Sequence, residues 1–159
     1  YFLIGKGRRK FAMVRASDER ADRRAVAFAE IVAKRGLGQV LEINVGSSRT
    51  LRSGREAMQR VLAETPDVDA IVCSSDLLAL GVLTEAKARS ISVPSRLSIM
   101  GFGDVPFLAD MVPALSTVRI NGADIGNQAA RFLIDRAEGR AVTTRIVDVG
   151  FSIVERDTT

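Results

Sequence analysis

Three short polar turns hold the residues of this chain best suited to grip a small ligand. Arg15-Ala-Ser-Asp-Glu-Arg20 follows an apolar run and leads into a helical pattern, with Arg24 one helical turn after Arg20. An arginine offers a fork of N–H donors that matches a carboxylate, a phosphate or paired hydroxyls. Free amides at a helix N-terminus favour the same anions. The bland alternative is a capped helix start with solvated arginines. Ser74-Ser75-Asp76 is the second turn. Serine is a good N-cap and an aspartate in the first turn suits the helix dipole, so local structure alone can account for it. Gly101-Phe-Gly-Asp104 is the third. Glycine lets a backbone approach a ligand closely, and Asp104 can accept hydroxyl hydrogen bonds or cap a local turn.

Other chemistries are poorly supported. The chain has no His and a single cysteine, Cys73. Cys/His zinc sets, Ser-His-Asp triads and intramolecular disulfides are therefore excluded within it. Cys73 sits in an apolar run and reads as a small buried hydrophobe. Gly5-Lys-Gly7 lacks the rest of a dinucleotide fingerprint, and no Walker-type Gly-Lys-Ser/Thr occurs. Asp67, Asp69 and Asp76 lack the dense acidic spacing of a calcium loop. No nucleophile–base pair stands out. The expectation is a binding domain without metal or cofactor, not an enzyme.

The three turns must be positioned by a regular alternation of elements. Phe11–Val14 reads as a buried strand. Residues 22–35 read as a helix with Ala25, Phe28, Ala29 and Val32 on one face, closed by Lys34-Arg35-Gly36. Val40–Val45 reads as a strand, Leu51–Glu64 as a helix stopped before Pro66, and Ala70–Cys73 as a short apolar strand. A helix capped by Ser74 or Ser75 runs to about residue 89. Leu97–Gly101 is the next strand, Phe102–Leu115 a long loop and Thr117–Ile120 an extended segment. Asn121 caps a helix with Ile125, Ala129, Phe132 and Leu133 on one face, ended by Gly139. Arg145–Val154 reads as a last strand. This spacing predicts an α/β fold, a Rossmann-like parallel sheet flanked by helices. Such a sheet gathers all three turns along its carboxyl edge, where small ligands bind.

At 159 residues, 47% hydrophobic and 26% charged, the chain suits one soluble domain with a sizeable core. No apolar run reaches the roughly 18 residues of a membrane span. The opening Tyr1-Phe2 has no charged stretch before an apolar one, so no signal peptide is expected; the absence of Met suggests an excerpt of a longer protein. Residues 1–60 carry 14 Lys and Arg against 6 Asp and Glu, and residues 61–159 carry 9 against 13. The basic half interleaves acids on predicted helices and has few aromatics to stack on bases. A solvated helix face explains it better than nucleic-acid binding.

Collinear motifs resemble the lactose/galactose-repressor (LacI/GalR) family of transcription regulators. Lys6-Gly-Arg-Arg-Lys-Phe-Ala-Met-Val14 is similar to the "Gly-His-Arg-Arg-Ile-Ala-Phe-Ile" that opens their distal lobe. Arg24-Ala-Val-Ala-Phe28 resembles "Arg-x-x-Gly-Phe", and Ser75-Asp-Leu-Leu-Ala-Leu-Gly81 resembles "Asn-Asp-x-x-Ala-x-Gly". Val93-Pro through Asp104 resembles "Val-Pro-x-Asp-x-Ser-Val-x-Gly-Phe-Asp-Asp", and Pro113-Ala-Leu-Ser-Thr-Val-Arg119 resembles "Pro-Pro-Leu-Thr-Thr-Val-Arg". Gly-Phe-Gly-Asp104 with Val118-Arg-Ile-Asn-Gly122 is most similar to the gluconate-repressor branch.

The resemblance implies a type I periplasmic-binding-protein-like architecture, two lobes clamping an effector. Residues 1–9 would end a proximal-lobe helix and crossover, 10–117 form the distal lobe, 118–144 carry a crossover and proximal-lobe helix, and 145–159 return as strand and tail. Without its partner lobe the 122–138 helix would leave Ile125, Phe132 and Leu133 exposed and sticky. It further implies a homodimer, and operator DNA contacted only through an N-terminal head that this sequence does not contain. The protein is expected to be cytoplasmic, without membrane contact. By position Arg24 is the effector-gripping arginine, with Arg20 on the same rim; Asp18, Ser75, Phe102, Gly103 and Asp104 complete the expected site. Ser75 stands where the family has Asn, Gly103 where it has the first Asp of a pair, and Ala27 where Gly is common. These departures remove polyol-binding groups and one negative charge, which points to a sugar acid or phosphorylated sugar. The competing reading is a fragment of a periplasmic sugar-binding protein of a transport system, which shares the lobes.

Overall fold

The structure is a computed structural model that describes residues 1–142 and 146–159. A short helix α1 (Phe2–Gly5) precedes strand β1 (Phe11–Arg15), helix α2 (Glu19–Lys34) and strand β2 (Leu41–Asn44). Helix α3 (Leu51–Glu64), strand β3 (Ala70–Cys73), helix α4 (Asp76–Ala88) and strand β4 (Ser98–Gly103) follow. A 3₁₀ turn at Pro106–Ala109 leads to strand β5 (Ser116–Arg119), helix α5 (Gly122–Ala137) and strand β6 (Ser152–Val154). The six strands form one sheet in the order β2-β1-β3-β4-β5-β6. All neighbours are parallel except β5 and β6.

Parallel strands covered on both faces need apolar side chains on both, which is why β1 and β3 are near-continuous apolar runs. Ala12, Val14, Ile71, Cys73 and Ile99 pack against α3 and α4. Phe11 and Ala70 point the other way, to Val32 of α2 and Leu3 of α1. The Phe11 and Phe28 rings meet edge to face, 5.7 Å between centroids. Cys73 is fully enclosed; burial pushes its thiol pKa up, with Asp76 adding to the effect, so it behaves as packing.

The starts of α2, α3, α4 and α5 each carry a side-chain cap. Asp18 accepts the Ala21 N–H at 2.9 Å, so α2 begins at Glu19, earlier than the apolar periodicity alone predicts. Thr50 and Ser53 form a reciprocal capping box on α3. α3 and α4 cross with backbones touching: a Cβ on Gly54 would lie 2.4 Å from the Leu78 carbonyl oxygen, and one on Gly81 2.3 Å from that of Leu51.

The structure departs from the sequence expectation at the carboxyl end of β4. Phe102 and Gly103, expected in a loop, continue the strand and pair with Val118 and Arg119. Asp76 explains this. Its carboxylate is buried, accepting the Val105 N–H at 3.0 Å and the Thr117 hydroxyl at 2.6 Å, and it holds β4 beside β5. The last strand is also shorter than Arg145–Val154: within the described residues only Ser152–Val154 pairs, and Arg145 lies outside them. α5 has no buried residue, and Ile125, Leu133 and Ile134 are exposed, while Phe132 is half-buried. The tail folds back under the sheet, where the Thr158 hydroxyl donates to Ile99 O and accepts the Ser116 N–H, both at 2.8 Å.

Candidate functional site

In the strand order β2-β1-β3-β4-β5 the connection after β1 runs to β2 on one side and the connection after β3 to β4 on the other, so a crevice opens beyond the carboxyl ends of β1 and β3. The first two polar turns meet there. The Ala16 N–H donates to the Ser74 hydroxyl at 3.1 Å, tying the turn after β1 to the turn after β3. Ser75 caps α4, accepting the Leu78 N–H at 3.4 Å, and stays half-buried. The end of β4, with Phe102, Gly103 and Asp104, lies next in the sheet.

Arg24 reaches across this edge from the second turn of α2. Its guanidinium stands 4.1 Å from the centroid of the Phe102 ring, a cation–π contact. Its Nε is buried and has no hydrogen-bond partner among the described residues. Burial draws the Arg24 pKa down, and the Asp18 carboxylate pulls it back up; an arginine nevertheless stays charged in water-accessible sites. A buried guanidinium donor left unpaired is costly unless something else satisfies it.

Around Arg24 the charge is positive. Arg20 and Arg49 both lie near enough to repel it. Arg20 is exposed on the first turn of α2. Arg49, from the loop after β2, pairs with Asp18 at 2.5 Å. Asp18 is thus shared between its cap and Arg49. The Ala21 N–H, then Arg49, the Arg20 N–H and Arg24 hold its pKa below the usual carboxylate value against the opposing effect of burial. The guanidinium groups of Arg24 and Arg49 share the Asp18 carboxylate, and Arg20 adds a third positive charge beside Arg24, an arrangement that favours an anion.

Gly103 has φ +139°, and an added Cβ would meet the Asp76 carboxylate at 2.9 Å. Asp104 follows at φ +68° and turns aside. One of its oxygens pairs with Arg119, the other with Arg156 at 2.7 Å. Burial raises its pKa, but the hydrogen bonds and charges of Arg156 and Arg119 outweigh that and hold it below the usual value.

The structure thus brings Arg24, Phe102 and Asp18 together with Arg20 on the rim, and places Ser75 in the adjoining turn. Asp104 faces its own arginines. Of two further residues that shape the site, Arg49 escaped sequence reasoning and Asp76 was read only as a first-turn acid. Arg49 sits in a loop with no local signal. Asp76 carried one, the two glycines of Gly101-Phe-Gly103, which leave room for its carboxylate.

Comparison with known proteins matches residues 1–159 to the family described as periplasmic binding protein-like domain. The chain is 33% identical over 159 residues to the HTH-type transcriptional regulator GntR of Pseudomonas aeruginosa, covering 99% of this chain and 46% of that protein. It is 28% identical over 141 residues to the HTH-type transcriptional regulator IdnR of Escherichia coli, covering 89% of this chain and 42% of that protein. The chain therefore spans about half the length of the curated relatives it matches. The crystal structure of the transcription regulator GntR from Chromobacterium violaceum superposes with a TM-score of 0.93 at 32% identity, covering 99% of this chain and 59% of that one. A LacI-family transcriptional regulatory protein from Corynebacterium glutamicum gives 0.87 at 29%, covering 99% and 60%. These relatives are transcription regulators, and the family match runs along the whole of this chain, which gives one assignment: the chain belongs to the periplasmic binding protein-like domains and is similar to the corresponding part of LacI-family regulators.

Proposed function

We propose that this chain supplies one wall of an effector cleft for a sugar acid or phosphorylated sugar, within a cytoplasmic regulator whose operator affinity the effector controls. The observation that carries the reading is Arg24, held over Phe102 with its Nε buried and without a partner among the described residues, near Arg20 and Arg49. A carboxylate or phosphate would satisfy that donor and the local positive charge together. A neutral sugar would leave the charge uncompensated. The Gly103 position, which bears no carboxylate, adds no repulsion. The second wall and the DNA-binding head would lie in the other half of a protein as long as its relatives.

Homodimerisation fits the face beyond α4. The loop 105–112 runs along that helix, from the Val105 N–H on Asp76 to the Val112 carbonyl on Lys87. Along it Val105, Phe107 and Val112 are exposed, as are Leu77 of α4 and Leu51 of α3. Such an apolar surface suits a partner copy.

Thermal stabilisation of the full-length protein by gluconate, by a phosphorylated sugar acid and by glucose tests the effector reading, alongside Arg24→Ala. Stabilisation by the acids that disappears in Arg24→Ala is expected. Stabilisation by glucose alone, or by gluconate undiminished in Arg24→Ala, would overturn it.

A further inference from the structure

We propose that Asp104 is a positioning residue, not a ligand group: its carboxylate clips the end of β4 to the two chain segments that flank α5. The sequence suggests that Asp104 receives effector hydroxyls. The geometry gives it other work. Its backbone lies in the left-handed region at φ +68°, which Asp and Asn tolerate better than most residues, and this turns the side chain inward to 9% exposure. One carboxylate oxygen takes the Arg119 Nε–H, and the other takes a guanidinium N–H of Arg156 at 2.7 Å.

The Arg119 side chain is itself 53% exposed, so Arg156 is the firmer arm of the clip. Arg119 is the last residue of β5, three positions before α5 begins. Arg156 follows β6 by two positions and its side chain is 14% exposed. A second guanidinium N–H of Arg156 donates to the Leu115 carbonyl at 2.7 Å, and its backbone N–H donates to the Ser116 hydroxyl at 2.8 Å. Arg156 is thus fixed on the far side as well. Two guanidinium groups on one buried carboxylate make charge-assisted bonds that a ligand hydroxyl would have to displace.

The clip stands in a telling place. Phe102, the platform under Arg24, lies two residues before Asp104. α5 has no buried residue, so the lobe holds α5's flanks through β5, β6 and this carboxylate. A shift of Phe102 on ligand binding is carried through Asp104 to Arg119 and Arg156 together, a contiguous physical link from the site to the chain that leaves the lobe. The consequence for ligand binding rests on the anion-site reading above; the clip itself does not.

The test uses the full-length protein, with Asp104→Asn and Arg156→Met. Asparagine keeps the left-handed backbone and removes the charge. The first arm is amide hydrogen exchange without ligand. Asp104→Asn is expected to speed exchange about tenfold at 102–105, 119–120 and 152–156 together, and Arg156→Met to do the same, the scale of one lost charge-assisted bond. A change confined to 102–105, or none, overturns the clip. The second arm is gluconate affinity. Both variants are expected to weaken it alike, by about three- to tenfold. Weakening in Asp104→Asn alone, with Arg156→Met unchanged or tighter, would make Asp104 a ligand group and overturn the proposal. If the wild type does not bind gluconate, the effector reading fails while the exchange arm still decides the clip.

Discussion

The Asp76 carboxylate occupies the space a side chain at Gly101 would need: a Cβ there would lie 2.3 Å from Oδ1. That oxygen is not free to swing, because it accepts the Thr117 hydroxyl at 2.6 Å while Oδ2 holds the Val105 N–H. Gly101→Ala must therefore break the clamp or push β4 out of register with β5. A loss of about 3 kcal/mol is expected, read as a lowered denaturation midpoint, the size of an overpacked core position that also costs a buried hydrogen bond. A midpoint within error of wild type would mean that Asp76 does not hold this strand end.

Gly81 meets a harder obstacle. The atoms facing its missing Cβ are backbone, Leu51 O at 2.3 Å and Gly54 Cα at 2.7 Å, so no rotamer change relieves the clash. Gly81→Ala gains a little helix propensity, about 1 kcal/mol. The forced separation of α3 and α4 outweighs that gain, because both helices bury their inner faces here. Net destabilisation is expected, opposite in sign to the same substitution at Gly126 of α5, where nothing lies within 4 Å and the propensity gain stands alone. Thermal midpoints of the two variants compare directly; equal shifts would contradict the close crossing.

Most of the sheet was legible because each central strand is a short apolar run between polar turns, and helices carry local caps such as Ser75 and Asn121. What escaped the sequence was set by partners far along the chain. Phe102-Gly103 looks like loop because glycine packs weakly in strands, yet Asp76 and Thr117 make it strand. The partners of Asp104 lie 15 and 52 residues away. The Asp18–Arg49 pair spans 31 residues. Arg24 was visible as a donor at a strand end, but its seat on Phe102 depends on two strands and a helix that no local pattern relates.

Glu85 predicts a pH dependence. It is almost fully buried on α4, and its carboxylate accepts from Gln59 and Arg89 at 2.9 Å and from Arg55 at 3.0 Å. The Gln59 bond first, then those from Arg89 and Arg55, pull its pKa from an ordinary 4.5 to about 2 against the effect of burial. A folded-state pKa below the unfolded one gives stability that is fully present above pH 4.5 and fades as pH falls toward 2. Glu85→Gln removes that increment. The gap in stability between wild type and variant is therefore expected to narrow between pH 4.5 and pH 2, measured by denaturation at each pH. A gap constant across that window would show that Glu85 acts through shape, not charge.

Arg24→Lys separates charge from geometry at the proposed anion site. Lysine keeps the positive charge but loses the planar fork and the flat face that rests on Phe102. If the ligand is gripped by paired donors, gluconate affinity falls about tenfold in Arg24→Lys and about a hundredfold in Arg24→Ala, the worth of one and two charge-assisted bonds. If charge alone matters, Arg24→Lys binds like wild type, and Arg24→Ala loses affinity together with part of its salt dependence. Phe102→Leu adds the second half of the argument. It keeps bulk but removes the ring, so Arg24 loses its platform and not its donors, and a smaller loss of about threefold is expected. A loss in Phe102→Leu that vanishes in the Arg24→Ala background would locate the effect in the stacking pair, since a contact already broken cannot be broken twice. Isothermal titration of wild type, the three single variants and the Phe102→Leu/Arg24→Ala double variant with gluconate measures all these comparisons.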